Sequence, residues 1–139
     1  MSSQVVVYAL TALAAVVVLL TRVRLGRGGG GRHDLGGVLL GAHTVVGTLS
    51  VVLWVVFIAA GDDSALGGPL AGIIALAGWW TLSVLGLLIL ARWLPSKGRH
   101  AVDEVDDAWS AGPALSWLAH LGMVVGVGVF TWAYLTHVV

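Results

Sequence analysis

The chain has 139 residues, of which 58% are hydrophobic and only 10% charged. Because soluble domains usually carry about a quarter charged residues, this composition excludes an ordinary soluble domain and predicts an outer surface that mostly faces lipid. The zero formal net charge gives no argument for a nucleic-acid partner, and the lack of cysteine excludes disulfides, thiolate metal sites and cysteine nucleophiles.

An apolar run from about residue 5 to residue 20 predicts a first membrane-spanning helix. It has the length of a signal-peptide core, but no basic residue precedes it, and Arg22 and Arg24 follow it as a stop-transfer pattern. We therefore expect this helix to be retained. The next segment, residues 21–35, is rich in arginine and glycine and predicts a flexible connecting loop.

Three longer apolar runs follow, and each is predicted to be a further membrane-spanning helix. An acidic turn with Gly67, Gly68 and Pro69 separates the second run from the third, and Pro95 is predicted to end the third. The predicted spans after the first are residues 36–60, 70–94 and 113–134, with a second basic loop at 95–112.

The basic residues flank the loops at 21–35 and 95–112, whereas the turn between the second and third spans carries only aspartates. The positive-inside tendency therefore predicts that both loops are cytoplasmic and that both termini lie outside. The sequence predicts one all-α domain, an integral membrane four-helix bundle. The abundance of Val, Ala, Leu and Gly with a single Lys is typical of a bacterium, which predicts a multi-pass protein of the bacterial inner (plasma) membrane.

Two short sequence motifs recur along the chain. Gly-Arg-His occurs at 31–33 and 98–100, and Ala-His at 42–43 and 119–120. Either the motifs recur by chance, or the two helical hairpins arose by duplication. A duplication would relate the hairpins by an axis along the membrane normal.

Two histidines lie inside predicted spans at matching depth. His43 is about seven residues past the start of its span and His120 about seven past Pro113, so each lies roughly 10 Å below the cytoplasmic edge. An ionisable side chain at that depth is a functional candidate. Two imidazoles on parallel helices can ligate one haem iron from opposite faces, which leaves no position for oxygen and favours electron transfer.

Neighbouring residues suit a haem site. We predict that Gly47 and Gly128 leave room beside the ligands for a flat ring, and that Arg32 and Arg99 lie at the membrane surface, where haem propionates would point. Trp79 and Trp80, deeper in the third span, would pack between helices or against a ligand.

Other interpretations remain open. His43 could bond a carbonyl or hydroxyl of a neighbouring helix, Met123 could replace one histidine as a ligand, and Gly122-x3-Gly126 fits a helix-packing pattern. The remaining histidines are expected to be solvated residues of the membrane interface: His33, His100 and His137.

Through His43 and His120, the chain resembles the bis-histidine membrane cytochromes of b type, including the cytochrome b561-like group. In that group, four-helix cores hold haem between alternate parallel helices, so the resemblance implies haem b as the cofactor. The resemblance covers the second and fourth helices. The first and third have no histidine, so it does not extend to a second haem.

These observations predict a small b-type cytochrome or haem-bearing electron-transfer subunit, linked to quinone or to a partner subunit. A single haem about 10 Å from one face would not carry electrons across roughly 30 Å of hydrocarbon, so a relay near the cytoplasmic face is expected. The alternatives are an accessory membrane subunit that packs against other subunits or itself, and a small transporter or channel. No carboxylate or lysine lies in a span, which favours an electron-transfer or accessory subunit over a stand-alone enzyme.

Overall fold

A computed structural model describes residues 2–27, 37–61, 63–96 and 113–139, with the backbone alone at 20–27, 37, 92–96 and 113–116. Within these ranges the chain is helical and contains no strand, which confirms the all-α prediction. The helices are α1 (Ser3–Arg27), α2 (Gly37–Ala60), α3 (Pro69–Ser96) and α4 (Pro113–Leu135).

Three of these helices contain a segment long and apolar enough to cross a membrane: Val38–Ala60, Pro69–Ala91 and Trp117–Leu135. The apolar part of α1, Ser3–Leu19, is shorter. Large aliphatic side chains on the outside of the bundle are exposed, as lipid-facing residues would be. The three segments indicate a multi-pass membrane protein.

The turn between α2 and α3 follows from its glycines. α2 ends at Ala60 because Gly61 has a φ of 72°, the left-handed conformation that terminates many helices. The Ser64 hydroxyl donates a hydrogen bond to the Gly61 carbonyl and accepts one from the Gly67 N–H, each 3.0 Å long. α3 then begins at Pro69, where a missing N–H costs nothing.

The C-terminal end of α3 differs slightly from the sequence prediction. The helix extends to Ser96, so Pro95 lies inside its last turn, whereas the sequence predicted an end at residue 94. The difference is within the one or two residues by which helix ends fray. α1 also extends further than predicted, to Arg27, so the first seven residues of the predicted loop at 21–35 are helical. Residues 28–35 of that loop and 97–112 of the predicted loop at 95–112 fall outside the described residues.

The helices form a ring in which α2 and α4 lie on one diagonal. α1 contacts α2 and α4, and α3 contacts the same two helices, with α2–α3 the most extensive contact and the two contacts of α1 the thinnest. The rings of Trp54 in α2 and Phe130 in α4 stack with centroids 4.8 Å apart. Ten or eleven residues earlier in each helix, His43 and His120 also meet, at Gly86. α2 and α4 are therefore parallel and nearly in register.

Side chains of α2 and α4 pack directly against glycines of α3. A Cβ on Gly72 would collide with the Tyr134 ring, and one on Gly78 would lie 2.7 Å from the Ser50 hydroxyl oxygen. Gly86 receives His120 in the same way. These close approaches hold α2 and α4 tightly against α3.

In Gly78→Ala the new methyl group overpacks the contact with Ser50, which is expected to cost about 1–3 kcal/mol of stability before any gain in helix propensity. Gly126→Ala is the matched control, since nothing lies within 4 Å of its added Cβ. Both variants gain about 1 kcal/mol of helix propensity. Thermal unfolding in detergent should place Gly78→Ala below the wild type and Gly126→Ala at or above it. Equal midpoints would contradict the close α2–α3 contact.

Aromatic side chains fill the half of the bundle nearest the α2–α3 turn. This aromatic core consists of Trp54, Phe57, Trp79 and Phe130, all of them buried. Trp79 packs against Phe130 with ring centroids 5.4 Å apart, and Trp54 packs against both Phe57 and Phe130.

A hydrogen bond from the indole N–H of Trp54 links α1 to the aromatic core. The N–H donates a hydrogen bond of 3.0 Å to the Thr11 hydroxyl, which itself donates to the Val7 carbonyl. A double-mutant cycle with Trp54→Phe and Thr11→Val should give a coupling energy of about 0.6 kcal/mol, the average for such bonds between membrane helices. Additive effects of the two substitutions would show that this bond does not hold α1 in place.

Candidate functional site

The site begins with two imidazole rings that converge on one glycine. His43 of α2 and His120 of α4 lie six and seven residues after the first residues of their helices, about 9–10 Å along each axis. A Cβ built on Gly86 would lie 2.8 Å from Cδ2 and 3.5 Å from Nε2 of His120, and 3.6 Å from Nε2 of His43. The two Nε2 distances sum to about 7 Å, which is an upper limit on the separation of the two nitrogens.

Both rings line a cavity of about 60 Å³ among the four helices. A water molecule needs about 10–15 Å³ of such space, so the cavity has room for a few waters or one ion with its ligands. The lining residues are Val17, Val18, His43, Leu82, Ser83, Gly86, Ala119, His120 and Met123.

The donor atoms around this cavity carry no negative charge. They are the imidazole nitrogens of His43 and His120, the thioether sulfur of Met123 and the hydroxyl of Ser83. The Ser83 hydroxyl donates its proton to the Trp79 carbonyl at 3.0 Å, so only its oxygen lone pairs face other groups. Among the described residues no cluster of three or more His, Cys, Asp or Glu side chains occurs. These donor types are ones that metal ions accept, but they supply no negative charge to neutralise a cation.

The structure brings together the two histidines that the sequence singled out, while the predicted glycines lie elsewhere. The side chain of Leu82 approaches Gly47, with Cδ1 3.2 Å from an added Cβ, and Gly47 does not line the cavity. Gly128 is exposed, and nothing lies within 4 Å of its added Cβ. Two further predicted residues, Arg32 and Arg99, fall outside the described ranges, as do His33 and His100.

Three other residues from the sequence interpretation also have defined places. Met123, considered as a replacement for one histidine, lines the cavity together with both of them. Trp79 is buried in the aromatic core, and the exposed Trp80 donates a 3.1 Å hydrogen bond to the Thr131 hydroxyl. Neither tryptophan lines the cavity.

The sequence interpretation missed the contribution of α3. Leu82, Ser83 and Gly86 form one wall of the cavity, although α3 has no histidine. The spacing from Trp79 to these residues is i+3, i+4 and i+7, the pattern of one helix face. Because α3 is apolar on all sides, this face does not stand out from the sequence.

The donor set fits a haem iron, while the cavity is smaller than a porphyrin. A metal–imidazole bond is about 2 Å long, so two nitrogens that share one metal lie about 4 Å apart, within the 7 Å limit. Cofactor pockets usually have volumes of roughly 300–1,000 Å³, and this cavity has about 60 Å³. A macrocycle would therefore require helices to separate, and α1 is the helix with the thinnest contacts.

Comparison of the chain with protein-family models, with curated proteins and with solved structures finds no match. The resemblance to b-type cytochromes therefore stays a prediction from His43 and His120.

Proposed function

We propose that this chain is a membrane-embedded electron-transfer subunit that holds one haem b between His43 and His120. The observation that carries the proposal is the convergence of the two imidazoles. Both Nε2 atoms lie within 3.6 Å of the same point, the position of a Cβ on Gly86. The absence of a side chain at this position leaves space for the two rings.

The surroundings of the histidines support electron transfer over other haem chemistry. His43 and His120 would both hold the iron, and a haem held by two histidines would supply reversible one-electron chemistry. No carboxylate, lysine or arginine lies in residues 36–60, 70–91 or 113–134, so these spans offer no charged acid or base for catalysis.

The proposal includes a topology and a partner. All four helices would cross the bacterial inner membrane, with both termini outside and the loops at 21–35 and 95–112 in the cytoplasm. His43 and His120 lie near the α2 and α4 ends that face those loops. Electrons would therefore be exchanged near the cytoplasmic face, with a quinone or with a partner redox subunit.

The experiment is an optical spectrum of the full chain purified in detergent from cells supplied with a haem precursor. We expect a Soret band, a reduced-minus-oxidised difference spectrum typical of b-type haem, and about one haem per chain. Colourless protein from cells in which a control b-type cytochrome is fully loaded would contradict the proposal.

The outward surface of α4 favours a second candidate, an accessory subunit of a larger membrane complex. Nothing lies within 4 Å of an added Cβ at Gly122, Gly126 or Gly128, so another helix could approach α4 closely there. This candidate predicts a colourless protein that co-purifies with a defined partner in stoichiometric amount.

A further inference from the structure

We propose that the cavity between His43, His120 and Met123 binds one copper(I) ion whenever haem is absent. This inference uses the same two histidines as the proposed haem site but does not depend on it. It rests on three properties of the cavity: its donor atoms, its volume and its charge.

The donor atoms suit a soft metal ion. Met123 follows His120 by three residues, so the two side chains project from the same face of α4 one turn apart. Both line the cavity with His43, which comes from the opposite helix of the ring. Thioether sulfur selects copper(I), and imidazole also binds copper well.

The volume suits an ion, whereas a macrocycle would require the helices to separate. About 60 Å³ accommodates a metal ion and a few waters without movement of the helices. The missing side chain at Gly86 maintains this space, since an added Cβ would lie within 3.6 Å of both imidazole Nε2 atoms.

The charge decides between copper(I) and divalent ions such as zinc. His43, His120 and Met123 are neutral ligands, and no acidic side chain lies in residues 36–60, 70–94 or 113–134. The solvation cost of a buried charge is large and grows with the square of that charge. A monovalent ion leaves one uncompensated positive charge in the bundle, whereas a divalent ion leaves two.

The test is a competition assay on the full chain, purified in detergent without haem and kept anaerobic with a reductant. Copper(I) is titrated against a chromogenic copper(I) chelator. We expect one copper(I) per chain. Binding should be about a hundredfold weaker in His43→Ala and His120→Ala and at least about tenfold weaker in Met123→Leu, since even residues that only orient metal ligands contribute about 10–100-fold to affinity. Gly122→Ala is the matched control on the same helix and should bind as the wild type does. Circular dichroism must show that each variant keeps its helical content.

Several outcomes would overturn the inference. Unchanged affinity in Met123→Leu would show that the thioether is not a copper ligand. Unchanged affinity in either alanine variant would show that the copper binds elsewhere in the chain. Zinc bound as tightly as copper(I), with the same dependence on His43, would refute the charge argument.

A second measurement separates this inference from the haem proposal. Protein loaded with copper(I) should take up no haem until the copper is removed, because both occupants need the same nitrogens. Simultaneous binding of copper and haem would overturn the shared site. Copper-free protein that takes up no haem but binds copper(I) through His43 and His120 would refute the haem proposal and leave the copper site standing. A full Soret band in the haem-loaded protein, together with no copper(I) binding in the haem-free protein, would refute the copper site and support the haem proposal.

Discussion

Replacing either His43 or His120 by alanine is expected to remove the haem spectrum completely. The two imidazoles come from helices on opposite corners of the ring and meet at Gly86, so the loss of one leaves the iron a single protein ligand. No other histidine lies in residues 36–60, 70–94 or 113–134 to replace it. The measurement is the Soret absorbance per chain for each variant, purified in parallel with the wild type.

His137→Asn is the control for this prediction. His137 is exposed, lies after the end of α4 and has a φ of 53°, a left-handed conformation that asparagine tolerates. The variant should retain the full spectrum. A Soret band of normal size in His43→Ala or His120→Ala would show that the replaced histidine does not bind the haem iron. Loss of the band in His137→Asn would instead indicate a site outside the bundle.

Gly86→Ala is expected to weaken cofactor binding by about 10–100-fold while both histidines remain, an effect of the size seen when a residue that orients metal ligands is changed. The new methyl group would lie 2.8 Å from Cδ2 of His120, closer than side chains pack, so the ring must move. A larger substitution, Gly86→Val, should abolish binding. Haem titration of the purified apoprotein gives the affinity, and circular dichroism checks that the helices persist.

Gly122→Ala is the matched control for Gly86→Ala. Both substitutions add one methyl group to a helix of the bundle, but nothing lies within 4 Å of an added Cβ at Gly122. We expect wild-type haem affinity in this variant. Equal affinity in Gly86→Ala and Gly122→Ala would show that α3 does not shape the site.

Composition was sufficient to predict the helices. The long apolar runs admit few structures other than helices, because a backbone in lipid must satisfy its own hydrogen bonds. The end of α2 and the start of α3 could also be predicted, since Gly61 tolerates the positive φ that terminates a helix and Pro69 suits the first helical position. The end of α1 could not, because the helix continues past its apolar run to Arg27. Pro95 was misleading, because the last turn of α3 includes it.

The site could be predicted only in part. His43 and His120 were identifiable because an ionisable residue is rare in an apolar run and because their depths match. Depth follows from counting residues, whereas rotation about the helix axis does not. A helix that is apolar on all sides gives no sign of which face turns inward. For this reason Gly86 was missed, and Gly47, predicted to leave room for a flat ring, has Leu82 against it.

The position of the cavity at one end of the bundle would make its occupant sensitive to the membrane potential. The aromatic core fills the other end, so in the proposed topology the shorter path for a charge to His43 and His120 starts at the ends of α2 and α4 that face the loops. Such a charge would cross about 10 Å of roughly 30 Å of hydrocarbon, a third of the voltage drop. A full crossing is worth about 2.3 kcal/mol per 100 mV, so each charge at this site would feel about 0.8 kcal/mol per 100 mV. An energised membrane would thereby shift the occupancy or redox balance of this site by a few-fold without any movement of the helices.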